Sequence, residues 1–126
     1  MRVVELDHLV LTVADIERSV DFYVRVLGMT REVFGPAQRT ALRFGSHKIN
    51  LHERGREFEP KAAQPTAGSA DLCFIVSGFG NLPAHLAAHS VRILEGPVAR
   101  TGALGPLMSY YIRDPDQNLI ELSRYT

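Results

Sequence analysis

With 126 residues, 45% of them hydrophobic, the chain has material for one sizeable core or for two small modules that share one. Its 14 acidic and 14 basic side chains cancel, which removes the charge signature of a nucleic-acid or anionic-membrane partner. The single Cys73 excludes an internal disulfide, and no apolar run approaches transmembrane length.

The N-terminal stretch Met1-Arg2-Val3-Val4-Glu5 lacks the apolar region of a signal peptide, so the expected location is cytoplasmic. Residues 4–13 alternate as a strand, with Leu9, Leu11 and Val13 on one side and His8, Val10 and Thr12 on the other. Asp15 then offers a helix N-cap, and Ile16, Val20, Tyr23 and Leu27 form an apolar stripe at helical spacing. Gly28 stands where a left-handed C-cap belongs. Strands are expected over about 29–34, 39–44 and 47–52, punctuated by Gly35-Pro36 and Gly45-Ser46. A charged, proline-bearing linker follows, and then the order repeats. Ala70–Val76 reads as a strand, and Asn81 as a cap for a short helix with Pro83 in its first turn. Arg92–Val98 is a strand interrupted by Gly96-Pro97, and Leu107–Arg113 is a better one. Between them, residues 100–106 read as a glycine-bearing loop able to approach a ligand closely. Asp114-Pro115-Asp116-Gln117 makes a turn before a last strand, Asn118–Ser123.

The chain therefore reads as βαβββ twice over. Module one covers 1–53, a linker 54–68, and module two 69–126, together one domain over 1–126. The expected fold class is α+β, with tandem βαβββ modules forming a curved mixed-sheet cup and the helices on its outer face. Sliding one half over the other puts His8 on Asp71 and Asn50 on Glu121. Parity sends Leu9/Leu11, Ile49/Leu51, Leu72/Phe74 and Ile120/Leu122 to the helix side. The opposite face keeps His8, Thr12, Asn50, His52, Asp71, Cys73, Glu121 and Ser123. Ligand-type side chains at matched strand positions suggest a site at the pseudo-symmetry axis.

Two readings stand for most of these residues. Asp71 suits a metal ligand, or an ion pair with Arg43 or turn chemistry after Gly68-Ser69. Asn50 and His52 suit substrate contact or ligation. Tyr111 shares a face with Ser109, as a substrate contact or a packing aromatic. Arg43, Lys48 and Arg100 bring either positive charge for an anionic substrate or simple surface solvation. Cys73 reads as a small buried filler, and His85 and His89 as solvated helix residues.

The opening Leu6-Asp7-His8-Leu9-Val10-Leu11-Thr12-Val13-Ala14-Asp15, Phe22-Tyr23, Leu27-Gly28 and the closing Asp114-Pro115-Asp116-x-Asn118-Leu119-Ile120-Glu121-Leu122 resemble the vicinal oxygen chelate superfamily over essentially the whole chain. That superfamily includes glyoxalase I, bleomycin-resistance proteins, fosfomycin-resistance transferases and extradiol dioxygenases. Lys48–Glu53, Phe58–Lys61 and Ser69–Phe74 are similar to a narrower subgroup of glyoxalase-domain proteins, some called virulence proteins. The resemblance implies that His8 matches the family's first-strand metal histidine and Glu121 its last-strand glutamate. Asp71 falls where many members have a second histidine, and Asn50 where glyoxalase I-like members have a glutamate. Tyr111 falls where fosfomycin-type members contact substrate.

It further implies a divalent metal held by His8, Asp71 and Glu121, with Glu121 also catalytic and with Asn50, His52, Thr12, Arg43 and Tyr111 touching a small-molecule substrate. One imidazole and two carboxylates favour Mn, Mg or Fe; a second histidine, His52, brings in Ni and Zn. The expected activity is that of a metal-dependent lyase or dioxygenase. It would act on a substrate with adjacent oxygens by Lewis-acid stabilisation of an enolate or oxyanion. The alternative is a metal-free protein that sequesters an antibiotic-like ligand. A homodimer is expected, with modules of different chains able to share a site.

Overall fold

The computed structural model describes residues 1–126. The chain forms two compact units, Met1–Ala67 and Gly68–Thr126. The first runs β1 (His8–Val13), α1 (Ile16–Arg25), β2 (Thr30–Phe34), β3 (Arg39–Phe44) and β4 (His47–Glu53). The second runs β5 (Asp71–Ile75), a 3-10 turn (Phe79–Asn81), α2 (Leu82–Ala88), β6 (Glu95–Gly102), β7 (Gly105–Arg113) and β8 (Leu119–Tyr125). Each unit has one four-stranded sheet, ordered β1-β4-β3-β2 and β5-β8-β7-β6. Only β1–β4 and β5–β8 run parallel, so both sheets are mixed, and the α+β class with duplicated βαβββ units holds. No helix is long and apolar enough to cross a membrane.

Local chemistry explains the elements. The Asp15 carboxylate accepts from the Arg18 N–H at 2.9 Å and starts α1. Gly28, at φ 71°, ends it: its N–H reaches the Val24 carbonyl at 3.1 Å, and the next N–H, of Met29, reaches Tyr23 at 3.0 Å. That pair of bonds is a Schellman closure, for which the left-handed backbone of glycine is suited. Val20, Phe22 and Tyr23 of α1 are buried, as are Leu11, Val13, Leu42, Ile49 and Leu51 of the first sheet. In the second unit Leu72-type positions are joined by buried Ile112, Ile120 and Leu122, and the Phe79 ring stacks 5.0 Å from that of Tyr110.

The registers fix the faces. In the first sheet His8 lies beside Lys48, Val10 beside Asn50 and Thr12 beside His52. In the second, Asp71 lies beside Leu119, and Glu121 sits between Cys73 and Tyr111. His8 and Asp71 thus each pair with the residue two before Asn50 and Glu121, which is the internal equivalence read from the sequence.

Four details differ from expectation. Residues 4–7 lie outside β1: its pairing with β4 starts at His8 and Lys48, and Val4 and Leu6 are exposed. Residues 100–106 are no ligand-approaching loop. The segment is a tight hairpin in which Gly102 pairs with Gly105, and a Cβ on Gly102 would come within 2.7 Å of Leu107. Gly96-Pro97 shifts the β6 register between Glu95 and Val98 without ending the strand, which runs on to Gly102. Asn81 makes no side-chain cap, because the 3-10 turn already leads into α2.

The Asp114 turn locks the second unit. Oδ1 of Asp114 accepts from the N–H groups of Asp116 and Asn118 at 2.9 and 3.0 Å, and Oδ2 accepts from Asn118 Nδ2 at 2.8 Å. Asn118 Oδ1 in turn accepts from the Ala70 N–H at 2.8 Å. Both side chains are buried, so this short motif ties the start of β5, and hence Asp71, to the start of β8, two residues before Glu121.

Candidate functional site

On the polar face of the first unit, His8 is exposed and its Nδ1 lies 2.6 Å from Asp7 Oδ1. The hydrogen bond from His8 holds the Asp7 carboxyl below the usual range. A carboxylate on Nδ1 orients the ring, as carboxylates orient metal-binding histidines. Asn50 is buried in the middle of the sheet, and its Oδ1 has no hydrogen-bond partner. An enclosed acceptor of that kind is costly unless something donates to it or a cation meets it. Next along β4, His52 is 3% exposed and beside Thr12, which is also buried. Burial first, and then the Arg39 guanidinium, push the His52 imidazole below its ordinary value, against the opposing pull of Glu57 and Glu59. Arg39 Nη2 lies 2.9 Å from His52 Nε2. A cavity of about 340 Å³ is lined by Val10, Thr12 and His52 of the sheet and by Pro60, Lys61 and Pro65 of the segment after it.

On the polar face of the second unit, Glu121 is the focus. Ser109 Oγ, fully buried, donates to Glu121 Oε2 at 2.6 Å, and Ser123 Oγ lies 3.2 Å from the same oxygen and 2.7 Å from Ser109 Oγ. Cys73 Sγ closes the chain 3.3 Å from Ser123 Oγ. From the other side Arg100 Nε donates at 2.9 Å to the hydroxyl of Tyr111, the residue paired with Glu121 across β7 and β8. Burial alone would raise the Glu121 carboxyl, but the bonds from Ser109, Tyr111, Ser123 and Cys73 outweigh it and hold the group below its usual value. It is therefore an anion with the Ser109 and Ser123 hydroxyls on one oxygen, and Tyr111 and Cys73 favour the same charge. Desolvation, first, raises the Cys73 thiol, with the Glu121 and Asp71 charges adding to it, so the sulfur stays protonated although the residue as a whole is exposed. Cys73 is thus not the buried filler that its sequence context suggests. Tyr111 is also raised, by desolvation first, and remains a neutral phenol donor.

The residues singled out from sequence fall into these two sets. His8, Thr12, Asn50 and His52 share one face of the first sheet; Asp71, Tyr111 and Glu121 share one face of the second. Asp71 is exposed at the start of β5. Arg43 is engaged in a two-point pair with Glu32, at 3.1 and 3.3 Å, so the ion pair considered for Asp71 is made by another acid. Lys48 Nζ stands 3.8 Å over the Phe34 ring, and Arg100 serves Tyr111 and Glu95. No group of three or more His, Cys, Asp or Glu side chains able to hold a metal ion is gathered within the chain. Taken singly, the donors suit a divalent cation: an oriented imidazole, an ionised carboxylate and an exposed aspartate. Arg39, Phe58 and Lys61 carry no site role in the sequence reading, and Ser109 enters it only as a face neighbour of Tyr111. Arg39 and Ser109 were findable by parity, since they stand opposite His52 and Ser123 on the neighbouring strands.

A model of the Glyoxalase/Bleomycin resistance protein/Dioxygenase superfamily matches residues 5–122. A glyoxalase domain-containing protein of Mycosarcoma maydis is 55% identical over 121 residues, 95% of this chain and 68% of that protein. The crystal structure of a virulence protein from Salmonella typhimurium is 53% identical, with a TM-score of 0.96 and full coverage of both chains. At 20% identity, an antibiotic-binding protein from Streptomyces shares the fold, with a TM-score of 0.77 over 100% of this chain and 99% of that one.

Proposed function

The chain belongs to the Glyoxalase/Bleomycin resistance protein/Dioxygenase superfamily, and from that premise we propose that it is a metal-dependent enzyme of the glyoxalase or dioxygenase type. Its substrate is a small molecule with two adjacent oxygen atoms. The observation that carries this reading is the preparation of Glu121. The Ser109 and Ser123 hydroxyls, supported by Tyr111 and Cys73, keep it ionised on a sheet face against the cost of its own burial. His8, with its ring fixed by Asp7, and Asp71 complete the proposed ligand set. These residues would hold Mn, Mg or Fe, or Ni or Zn if His52 joins them. When bound, such an ion supplies Lewis acidity toward an enolate or oxyanion formed from the substrate. Glu121 supplies the proton acceptor, with Ser109 and Tyr111 stabilising its charge. Thr12, Asn50, His52, Arg43 and Tyr111 are proposed substrate contacts, among which the unpartnered Asn50 Oδ1 awaits a donor. The ligands are proposed to converge in a homodimer whose chains contribute modules to a shared site.

A second reading, metal-free sequestration of a small molecule, is favoured by the largely apolar cavity beside His52, which can hold a ligand without any cation. Metal analysis separates the two. Protein purified without chelator retains a transition metal and gains thermal stability from Mn²⁺, Fe²⁺, Ni²⁺ or Zn²⁺, while His8→Ala and Glu121→Ala each weaken metal affinity by at least about tenfold. Wild-type protein that holds no metal and is stabilised by none of these ions sinks the enzyme reading.

A further inference from the structure

On the polar face of the first unit, Arg39 is held by two rings and an imidazole and has no ion-pair partner. Arg39 is half-buried, its Nε is enclosed without a hydrogen bond, and its guanidinium lies 5.4 Å from the Phe34 ring centroid and 4.8 Å from that of Phe58. The acids of the following segment are otherwise engaged. Glu53 meets Arg56 at 3.6 Å, Glu57 accepts from the Gly55 N–H at 2.9 Å, and Glu59 pairs with Lys61.

A guanidinium only donates, so the contact of Arg39 Nη2 with His52 Nε2 makes that nitrogen the acceptor and puts the imidazole proton on Nδ1. His52 is thereby a neutral ring with one fixed N–H to give, and the ring lines the cavity. The other polar groups there are the Thr12 hydroxyl and the Lys61 ammonium, so every polar side chain lining the cavity can donate. The remaining walls, Val10, Pro60, Ala62 and Pro65, are apolar. The volume, about 340 Å³, stands at the small end of ligand sites.

We propose that this cavity binds an organic carboxylate with a compact apolar body, whose oxygens accept from His52 Nδ1–H, Thr12 and Lys61. Arg39 is a positioning residue: it sets the His52 tautomer and contributes positive charge behind it. This rests on the reading that the first unit's polar face takes the substrate, but it does not depend on a metal.

The test titrates the full chain with benzoate and with benzyl alcohol, in EDTA, by calorimetry, with ¹⁵N histidine shifts recorded alongside. Benzoate is expected to bind at least about tenfold tighter than the alcohol. Arg39→Met and His52→Leu should each weaken benzoate by about tenfold and leave the alcohol unchanged, while Arg39→Lys recovers part of the loss. Wild-type His52 should show the Nδ1–H tautomer alone, and Arg39→Met should release the other, a change that loss of packing would not produce. Should the core variants not fold, the exposed Lys61→Ala is expected to weaken benzoate about threefold. Equal binding of the two probes, no binding of either, or unchanged benzoate affinity in Arg39→Met or Lys61→Ala overturns the proposal. Benzoate binding that needs added metal also overturns it, while leaving the metal-enzyme reading intact.

Discussion

Two buried asparagines give opposite predictions from the same principle. Asn118 is fully enclosed and doubly bonded, through Nδ2 to the Asp114 carboxylate and through Oδ1 to the Ala70 N–H, both at 2.8 Å. Asn118→Ala removes both bonds and strands two polar groups, one of them charged, where water has little access. At about 1 kcal/mol for the neutral bond and about 2 kcal/mol for the charge-assisted one, the loss is about 3 kcal/mol. For a chain of this size that lowers Tm by about 10 °C. Asn50 is 5% exposed, but its Oδ1 already lacks a partner, so the folded state bears that cost now. Asn50→Ala relieves it while leaving a small gap, and the net change should stay within about 1 kcal/mol. Urea unfolding at neutral pH, with a common m-value, measures both. The reasoning fails if Asn50→Ala is as costly as Asn118→Ala, or if Asn118→Ala is nearly neutral.

Two further outcomes are expected. Because His52 is held below its ordinary value of 6.5, the unfolded chain binds the proton more readily, so stability is full above that pH and falls as pH drops through the depressed folded value. Glu121, depressed from 4.5, adds a second loss at lower pH as its carboxylate protonates; His52→Gln should remove the first fall and keep the second in urea titrations across acidic pH. Light scattering at micromolar concentration should report a homodimer, and a monomer would remove the proposed sharing of modules.

Most of the fold was legible because two local signals agreed. The alternation Leu9/Leu11/Val13 and the Asp15 and Gly28 caps fixed the first strand and helix, and the second half repeated the pattern. What alternation cannot specify is where a strand loses its partner, which is why residues 4–7 fell outside β1 and residues 100–106 closed into a hairpin. The polar faces were also legible from parity, down to the equivalence of His8 with Asp71. Pairing was not. Arg43 stands out in sequence as readily as Arg39, but Arg43 meets Glu32 on β2 and Arg39 meets His52 on β4. Only the register of three strands decides that Arg43 meets an acid and Arg39 an imidazole. Ser109 was legible only as a face neighbour of Tyr111; its bond to Glu121 at 2.6 Å depends on the pairing of β7 with β8.

The duplicated sheets place Arg39 and His52 in one copy where the other has Ser109 and Ser123. At these matched positions the first copy sets a guanidinium against an imidazole, and the second sets two hydroxyls against the Glu121 carboxylate. Such divergence makes the halves non-interchangeable: a chain built from two first halves would lack the Glu121 cluster, and one built from two second halves would lack the Arg39–His52 contact.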